Sequence, residues 1–207
     1  MGKFTAMLKK GGGIKSNNHP QAAAQKIAHR RLLLQNIPGA RVFDAFAGSG
    51  KMHREVWHQA SHYVGCDLKW YRDNRSAFVA KNQRVLRCID LQDFNIFDLD
   101  AYGAPWEQAT IVAARRKLAP GERIGLALTD GSGLNLKMGT CSKALAALCR
   151  LPNNKIPGLN NVHAVLTERA VNELAARMNG KVVEKWEYVR PSVNMMRYTA
   201  IVIEAMS

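Results

Sequence analysis

A short apolar run that ends in a carboxylate and breaks at once into small residues, Val42-Phe43-Asp44-Ala45-Phe46-Ala47-Gly48-Ser49-Gly50, constrains this chain more than any other stretch. Its first residues read as a buried strand. The residues after Asp44 are mostly small, so the backbone can turn tightly and a ligand can approach it closely. From Lys51 to Ala60 the pattern is helical, and a helix start offers unpaired N–H groups. Strand, acid, small-residue turn and helix, in that order, make a cradle for a nucleotide-like ligand.

Related units recur along the 207 residues. Pro20 sits near the start of a helix over Gln21–Asn36, with apolar positions at Ala24, Ile27, Ala28, Leu32 and Leu34, and Pro38-Gly39 stops it. Strand one is expected at Arg41–Ala45 and strand two at His62–Asp67. Lys69–Asn82 reads as a helix, Arg84–Asp90 as a third strand and Asp93–Asp100 as a fourth. A helix over Trp106–Leu118 leads to a fifth strand, Arg123–Asp130. Ser142–Arg150 is expected to be helical, residues 151–161 a loop, and Thr167–Asn179 a helix capped by Thr167 and ended by Gly180. Lys181–Arg190 and Met196–Glu204 alternate as two strands joined through Pro191-Ser192. Strands alternating mostly with helices predict one α/β domain over residues 19–207, behind a flexible basic leader over 1–18. Ligands of such sheets bind at the carboxyl ends of the strands, and here those ends carry Asp44, Asp67, Asp90, Asp100 and Asp130.

Charge points to the partner. Of the net +14, +8 precedes the first acid, Asp44, through Lys3, Lys9, Lys10, Lys15, Lys26, Arg30, Arg31 and Arg41. Such an arm attracts polyanions without reading sequence, which predicts a nucleic-acid partner held through the basic N-terminal segment. Cys66, Cys88, Cys141 and Cys149 are scattered without zinc spacing, so reduced structural thiols and no metal site are expected. His53 and His58 lie five apart, off the i, i+4 spacing of a helical metal pair. No apolar run is long enough to span a bilayer, and the N-terminus lacks a signal-peptide core. No membrane association and a cytoplasmic location are expected.

Three cradles compete for Val42–Gly50. A P-loop needs GxxxxGK and then a hydroxyl, but Ala45 and Met52 stand at the first glycine and the hydroxyl. A dinucleotide fingerprint needs a third glycine where His53 stands. Asp44 to Gly50 instead resembles motif I of the class I S-adenosylmethionine-dependent methyltransferases. That resemblance implies a Rossmann-like, mostly parallel seven-stranded sheet with an antiparallel C-terminal strand and helices on both faces. It implies S-adenosylmethionine as cofactor, with Asp44, Ala45, Phe46, Ala47, Gly48 and Gly50 around its methionine part. Asp67, followed by Leu68, falls where the family grips the ribose hydroxyls, and Asp90, followed by Leu91, where it contacts adenine. A carboxylate suits both vicinal hydroxyls and a cationic sulfonium.

Asp100-Ala101-Tyr102-Gly103-Ala104-Pro105 occupies the motif IV position and is most similar to the Asp-Pro-Phe-Gly-Ser-Pro motif of tRNA guanine-N2 methyltransferases. The resemblance covers roughly residues 42–139. It implies methyl transfer to an exocyclic base amine, RNA guanine N2 before a DNA base, with Asp100 accepting the amine hydrogens and Tyr102 against the base. Ala101 in place of the family's proline keeps a second reading open, a nucleic-acid-binding protein with this fold but no catalysis. A P-loop-like nucleotide binder is the third.

Overall fold

The computed structural model describes residues 20–69, 71–190 and 196–206. The expected leader and the Pro191-Ser192 connection lie outside them. A helix α1 (Pro20–Asn36) leads into β1 (Arg41–Asp44), α2 (Lys51–Glu55), β2 (His62–Asp67) and β3 (Ala77–Val79). Then come α3 (Asn82–Cys88), β4 (Ile96–Leu99), α4 (Trp106–Arg115) and β5 (Arg123–Asp130). Short helices α5 (Gly133–Lys137) and α6 (Lys143–Leu148) precede α7 (His163–Arg177), β6 (Gly180–Val189) and β7 (Arg197–Ala205).

The seven strands form one sheet in the order β3-β2-β1-β4-β5-β7-β6. Strands β1 to β5 pair in parallel, and β7 runs antiparallel between β5 and β6. The expected Rossmann-like α/β sheet with an antiparallel C-terminal strand is therefore present. The central strands are buried on both faces, which explains why β1, β4 and β5 read as continuous apolar runs. One face is closed by a core that includes Leu86, Trp106, Val112, Leu145 and Leu174. The other is closed by Leu33, Ile37, Val56 and Trp57.

Three segments differ from the sequence expectation. Arg84–Asp90 is not a strand: residues 82–88 form α3, which turns Val85 and Leu86 into the core. A short apolar run fits either element, and here packing against α4 decides. The third strand lies instead at Ala77–Val79, inside the stretch expected as a helix, and among the described residues 68–76 no helix forms. Helix α7 starts at His163 and not at Thr167, whose hydroxyl donates to the His163 carbonyl at 2.9 Å as an interior residue does. Ser142 does cap α6, accepting from the Leu145 N–H at 3.1 Å.

Helix α1 shows its unexpected side to the sheet. Its buried residues are Ala22, Ala23, Lys26, His29, Arg30 and Leu33, whereas Ala24 and Ala28 face solvent. A helix buries cations only where acids wait for them, and those acids form part of the site.

Candidate active site

Asp44 and Asp67 end β1 and β2 on the same rim of the sheet. The chain after Asp44 turns back over that rim. The Phe46 N–H donates to Asp44 Oδ1 at 3.1 Å, and the Gly48 N–H donates to Asp67 Oδ2 at 2.9 Å. The Lys69 N–H donates to Asp67 Oδ1 at 3.0 Å. Each Asp67 oxygen keeps a second lone pair for a ligand hydroxyl.

Arg75, which sequence reasoning missed, supports this turn from behind. Its guanidinium donates to the carbonyls of Ala47 (3.1 Å) and Gly48 (2.9 Å), and Asp73 holds it at 2.8 Å from Nε. Gly50 lies against it at φ 76°, and a Cβ there would come 2.7 Å from Arg75 Cζ. Gly50→Ala is thus expected to cost about 1–2 kcal/mol from backbone strain, with the clash in addition. Pairing it with Arg75→Ala should recover the clash but not the strain, as urea unfolding would show.

An open cleft of about 240 Å³ adjoins the turn, lined among others by Ala45, Phe46, Asp67, Leu68, Asn82 and Gln108. Asn82 Nδ2 donates to the Ala45 carbonyl at 2.9 Å, and Gln108 Nε2 donates to Asn82 Oδ1 at 3.1 Å. Gln108 Oε1 is buried and has no donor among the described residues. The cleft therefore presents a carboxylate with open lone pairs, and its lining includes Gln108, whose buried amide oxygen calls for an N–H. Asn82 and Gln108 carry no motif, and only the true position of β3 brings them here.

Asp90 and Leu91 do not reach this cleft. The helix that replaced the expected strand carries them to the other end of the sheet, where the Gln92 carbonyl accepts from Arg41 at the start of β1. Asp90 is exposed and accepts from the Gln92 N–H at 2.9 Å, while Leu91 is buried in the core. Asn82 and Gln108 line the cleft in their stead.

Beneath the rim lies a buried ionic layer. Arg30 donates to both oxygens of Asp98, from Nε at 2.6 Å and Nη2 at 2.5 Å, and Trp57 Nε1 donates to Asp98 Oδ2 at 2.7 Å. Lys26 Nζ donates to both oxygens of Asp100 at 2.5 and 2.7 Å. Burial opposes ionisation of Asp100, but Lys26 and Arg30 outweigh it and hold the carboxyl below its ordinary range. For Asp44 the balance runs the other way. Burial and then the neighbouring Asp98 carboxylate push it well above the ordinary range, despite Arg30. Two cations thus face the Asp98 and Asp100 carboxylates, while Asp44 holds its proton more readily than a free carboxyl does. Lys26 and Arg30 are accordingly unavailable to nucleic acid, which removes two cations from the expected N-terminal contact surface.

His29 sits in the same layer, and burial together with Arg30 lowers its pKa to about 4 from 6.5. A histidine with a depressed folded pKa binds its proton more readily when unfolded. Stability is then lost as the pH falls from about 6.5 to 4. His29→Gln should show a shallower decline over that window in urea titrations at successive pH values.

The loop after β4 places Tyr102 with 86% of its surface exposed, away from the core that an aromatic usually joins. Asp130 closes β5 as a buried strut. Its carboxylate meets His163 Nε2 at 3.1 Å, Trp106 Nε1 at 3.0 Å and the Ser132 N–H at 2.8 Å. Burial opposes its ionisation, and the His163 contact and the Ser132 bonds overcome this, so its pKa lies below the ordinary value. The described residues hold no metal-binding cluster of His, Cys, Asp or Glu.

No protein-family model and no curated protein matches the sequence. The fold does match solved structures. Trm1 from Pyrococcus horikoshii, in complex with S-adenosyl-L-methionine, superposes with a TM-score of 0.55 at 15% identity, over 88% of this chain and 54% of that one. Trm5b from Pyrococcus abyssi gives 0.54 at 15% identity, over 90% and 50%. The N-methyltransferase NodS from Bradyrhizobium japonicum WM9, in complex with S-adenosyl-L-homocysteine, gives 0.53 at 12%, over 96% and 94%. This chain spans about half the length of the first two. In architecture, the protein has the Rossmann-like fold on which these proteins, two of them in complex with S-adenosylmethionine or its demethylated product, are built.

Proposed function

We propose that the chain is an S-adenosylmethionine-dependent methyltransferase acting on an exocyclic amine of a nucleic-acid base, with RNA guanine N2 the favoured acceptor. The cleft between Asp67 and Gln108 carries this reading. An adenosine end needs acceptors for two ribose hydroxyls and for an adenine amine; the cleft offers a carboxylate with open lone pairs, and its lining residue Gln108 carries a buried amide oxygen without a donor among the described residues. The acidic rim suits a cationic ligand. Asp44, the backbone from Ala45 to Gly50 and Asp67 with Leu68 are the residues assigned to hold the cofactor, joined by Asn82 and Gln108. Trm1 and Trm5b, both tRNA methyltransferases, support an RNA acceptor.

When bound, the cofactor supplies a methyl group made electrophilic by a sulfonium. The chain must supply the nucleophile's geometry. A base amine delocalises its lone pair into the ring and attacks poorly. Asp100, kept ionised by Lys26, accepts an amine hydrogen on a lone pair that Lys26 leaves open, so the nitrogen pyramidalises and its lone pair is freed. With its lowered pKa Asp100 orients the amine and passes the released proton on to water. Tyr102, exposed on the loop after β4, stacks on a base taken from a single strand or flipped from a duplex.

Asp67→Ala should weaken cofactor affinity by about 1.5–3 kcal/mol through lost charged hydrogen bonds; unchanged affinity in a calorimetric titration would take Asp67 out of the site. The function itself is tested with methyl-tritiated cofactor and separate pools of tRNA, rRNA and DNA. Label in nuclease-sensitive material is expected. Bound cofactor with no label in any pool would leave a binding protein and overturn the proposal.

A further inference from the structure

We infer that the crossover between β2 and β3 is the platform on which the nucleic-acid strand lies, a surface distinct from the basic N-terminal segment. The inference rests on the nucleic-acid acceptor proposed above. Three observations carry it.

The first is what the crossover lacks. Among the described residues of 68–76 there is no helix, and β3 ends the sheet with Ala77, Phe78 and Val79 all exposed. The second is its charge. From Lys69 to Arg84 the chain carries five cations, Lys69, Arg72, Arg75, Lys81 and Arg84, against one acid, Asp73. Arg75 takes up that acid while supporting the Ala47–Gly48 turn. Lys69 and Arg72 remain exposed with no ion pair among the described residues. The third is the company these cations keep. Tyr71 is 41% exposed and Phe78 42%, and both line a shallow recess with Lys69, Arg72, Ala47 and Gly48.

Exposed rings interleaved with unpaired cations are what a single strand requires, since phosphates take the cations and bases stack on the rings. An apolar partner surface would gain nothing from Lys69 and Arg72, and would have to desolvate them. The recess shares Asp67 with the cofactor cleft, and Gln108 does not line it. It is three strand spacings from β4, about 14 Å, along the same rim as Asp100. A strand laid there would run across the cofactor mouth toward Tyr102.

The test is fluorescence-anisotropy binding of a labelled single-stranded RNA of mixed sequence, over a series of salt concentrations, to the full chain and to two variants. Lys69→Gln/Arg72→Gln should reduce the slope of log affinity against log salt by about 1.4, the loss of two phosphate contacts. Tyr71→Ala should weaken binding about five- to hundredfold with the slope unchanged. Calorimetric titration with S-adenosylhomocysteine, alongside, should give wild-type affinity for both variants and so show that the rim is intact. RNA binding by wild type with both variants unaltered would overturn the platform alone. Absence of RNA binding by wild type would overturn the nucleic-acid acceptor with it. A dimer in analytical ultracentrifugation that Tyr71→Ala dissociates would assign the edge to a second copy and overturn the platform.

Discussion

Asp100→Asn is expected to cut methyl transfer at least roughly hundredfold while leaving S-adenosylmethionine affinity unchanged. The amide has the size of the carboxylate and can still accept from Lys26, but its second group donates where the base amine also donates. The acceptor amine would then meet a donor, with no negative charge to draw off its hydrogen. Asp100 lies outside the cleft between Asp67 and Gln108, so cofactor titrations separate this loss from misfolding. Lys26→Met gives the complementary result. Lys26 is the main influence that offsets burial at Asp100, so its removal should raise the Asp100 pKa. The acid limb of the kcat profile should then move to higher pH. An active Asp100→Asn enzyme would reassign the residue to folding.

Arg30→Met should destabilise the fold by about 3–5 kcal/mol. Asp98 is fully buried in the middle of the sheet, and among the described residues Arg30 supplies two of the three side-chain hydrogen bonds to its carboxylate oxygens. Methionine fills the volume yet leaves that carboxylate with Trp57 Nε1 alone. The penalty comes from an uncompensated charge and not from lost packing. Adding Asp98→Leu should therefore recover much of the loss, short of the cost of orphaning the Trp57 N–H, about 1–3 kcal/mol. Urea unfolding of the single and double variants measures both. A double variant no better than Arg30→Met would mean that the helix was held by its apolar contacts.

These two variants sit on a layer that was only half visible in the sequence. Val42 to Gly50 could be read directly, because a buried strand and a small-residue turn are local patterns. Asp44 and Asp67 fell on the rim as expected, since a strand's end is also local. Helix α1 was legible as a helix but not in its orientation. Its apolar residues suggested one face, and the sheet selected the face carrying Lys26 and Arg30 because Asp98 and Asp100 lie beneath it. The partners are 68 and 74 residues away. Spacing did hold the signal: two cations one helical turn apart, and two acids two residues apart where a strand ends.

The far end of the cleft was illegible for a related reason. Arg84–Asp90 has the apolar content of a strand, and only its packing on α4 makes it a helix. Once it is a helix, Asp90 moves to the wrong rim, and Asn82 and Gln108 come into the cleft from two separate helices. Arg75 was equally hidden, since its role lies in contacts with carbonyls 27 and 28 residues earlier. Motif I thus marked the half of the site built by one continuous segment.

A crystal structure with S-adenosylhomocysteine tests the central claim most directly. Ribose hydroxyls are expected on Asp67 and the adenine amine on Gln108 Oε1, beside Asn82. Adenine seated anywhere else on the protein would contradict it.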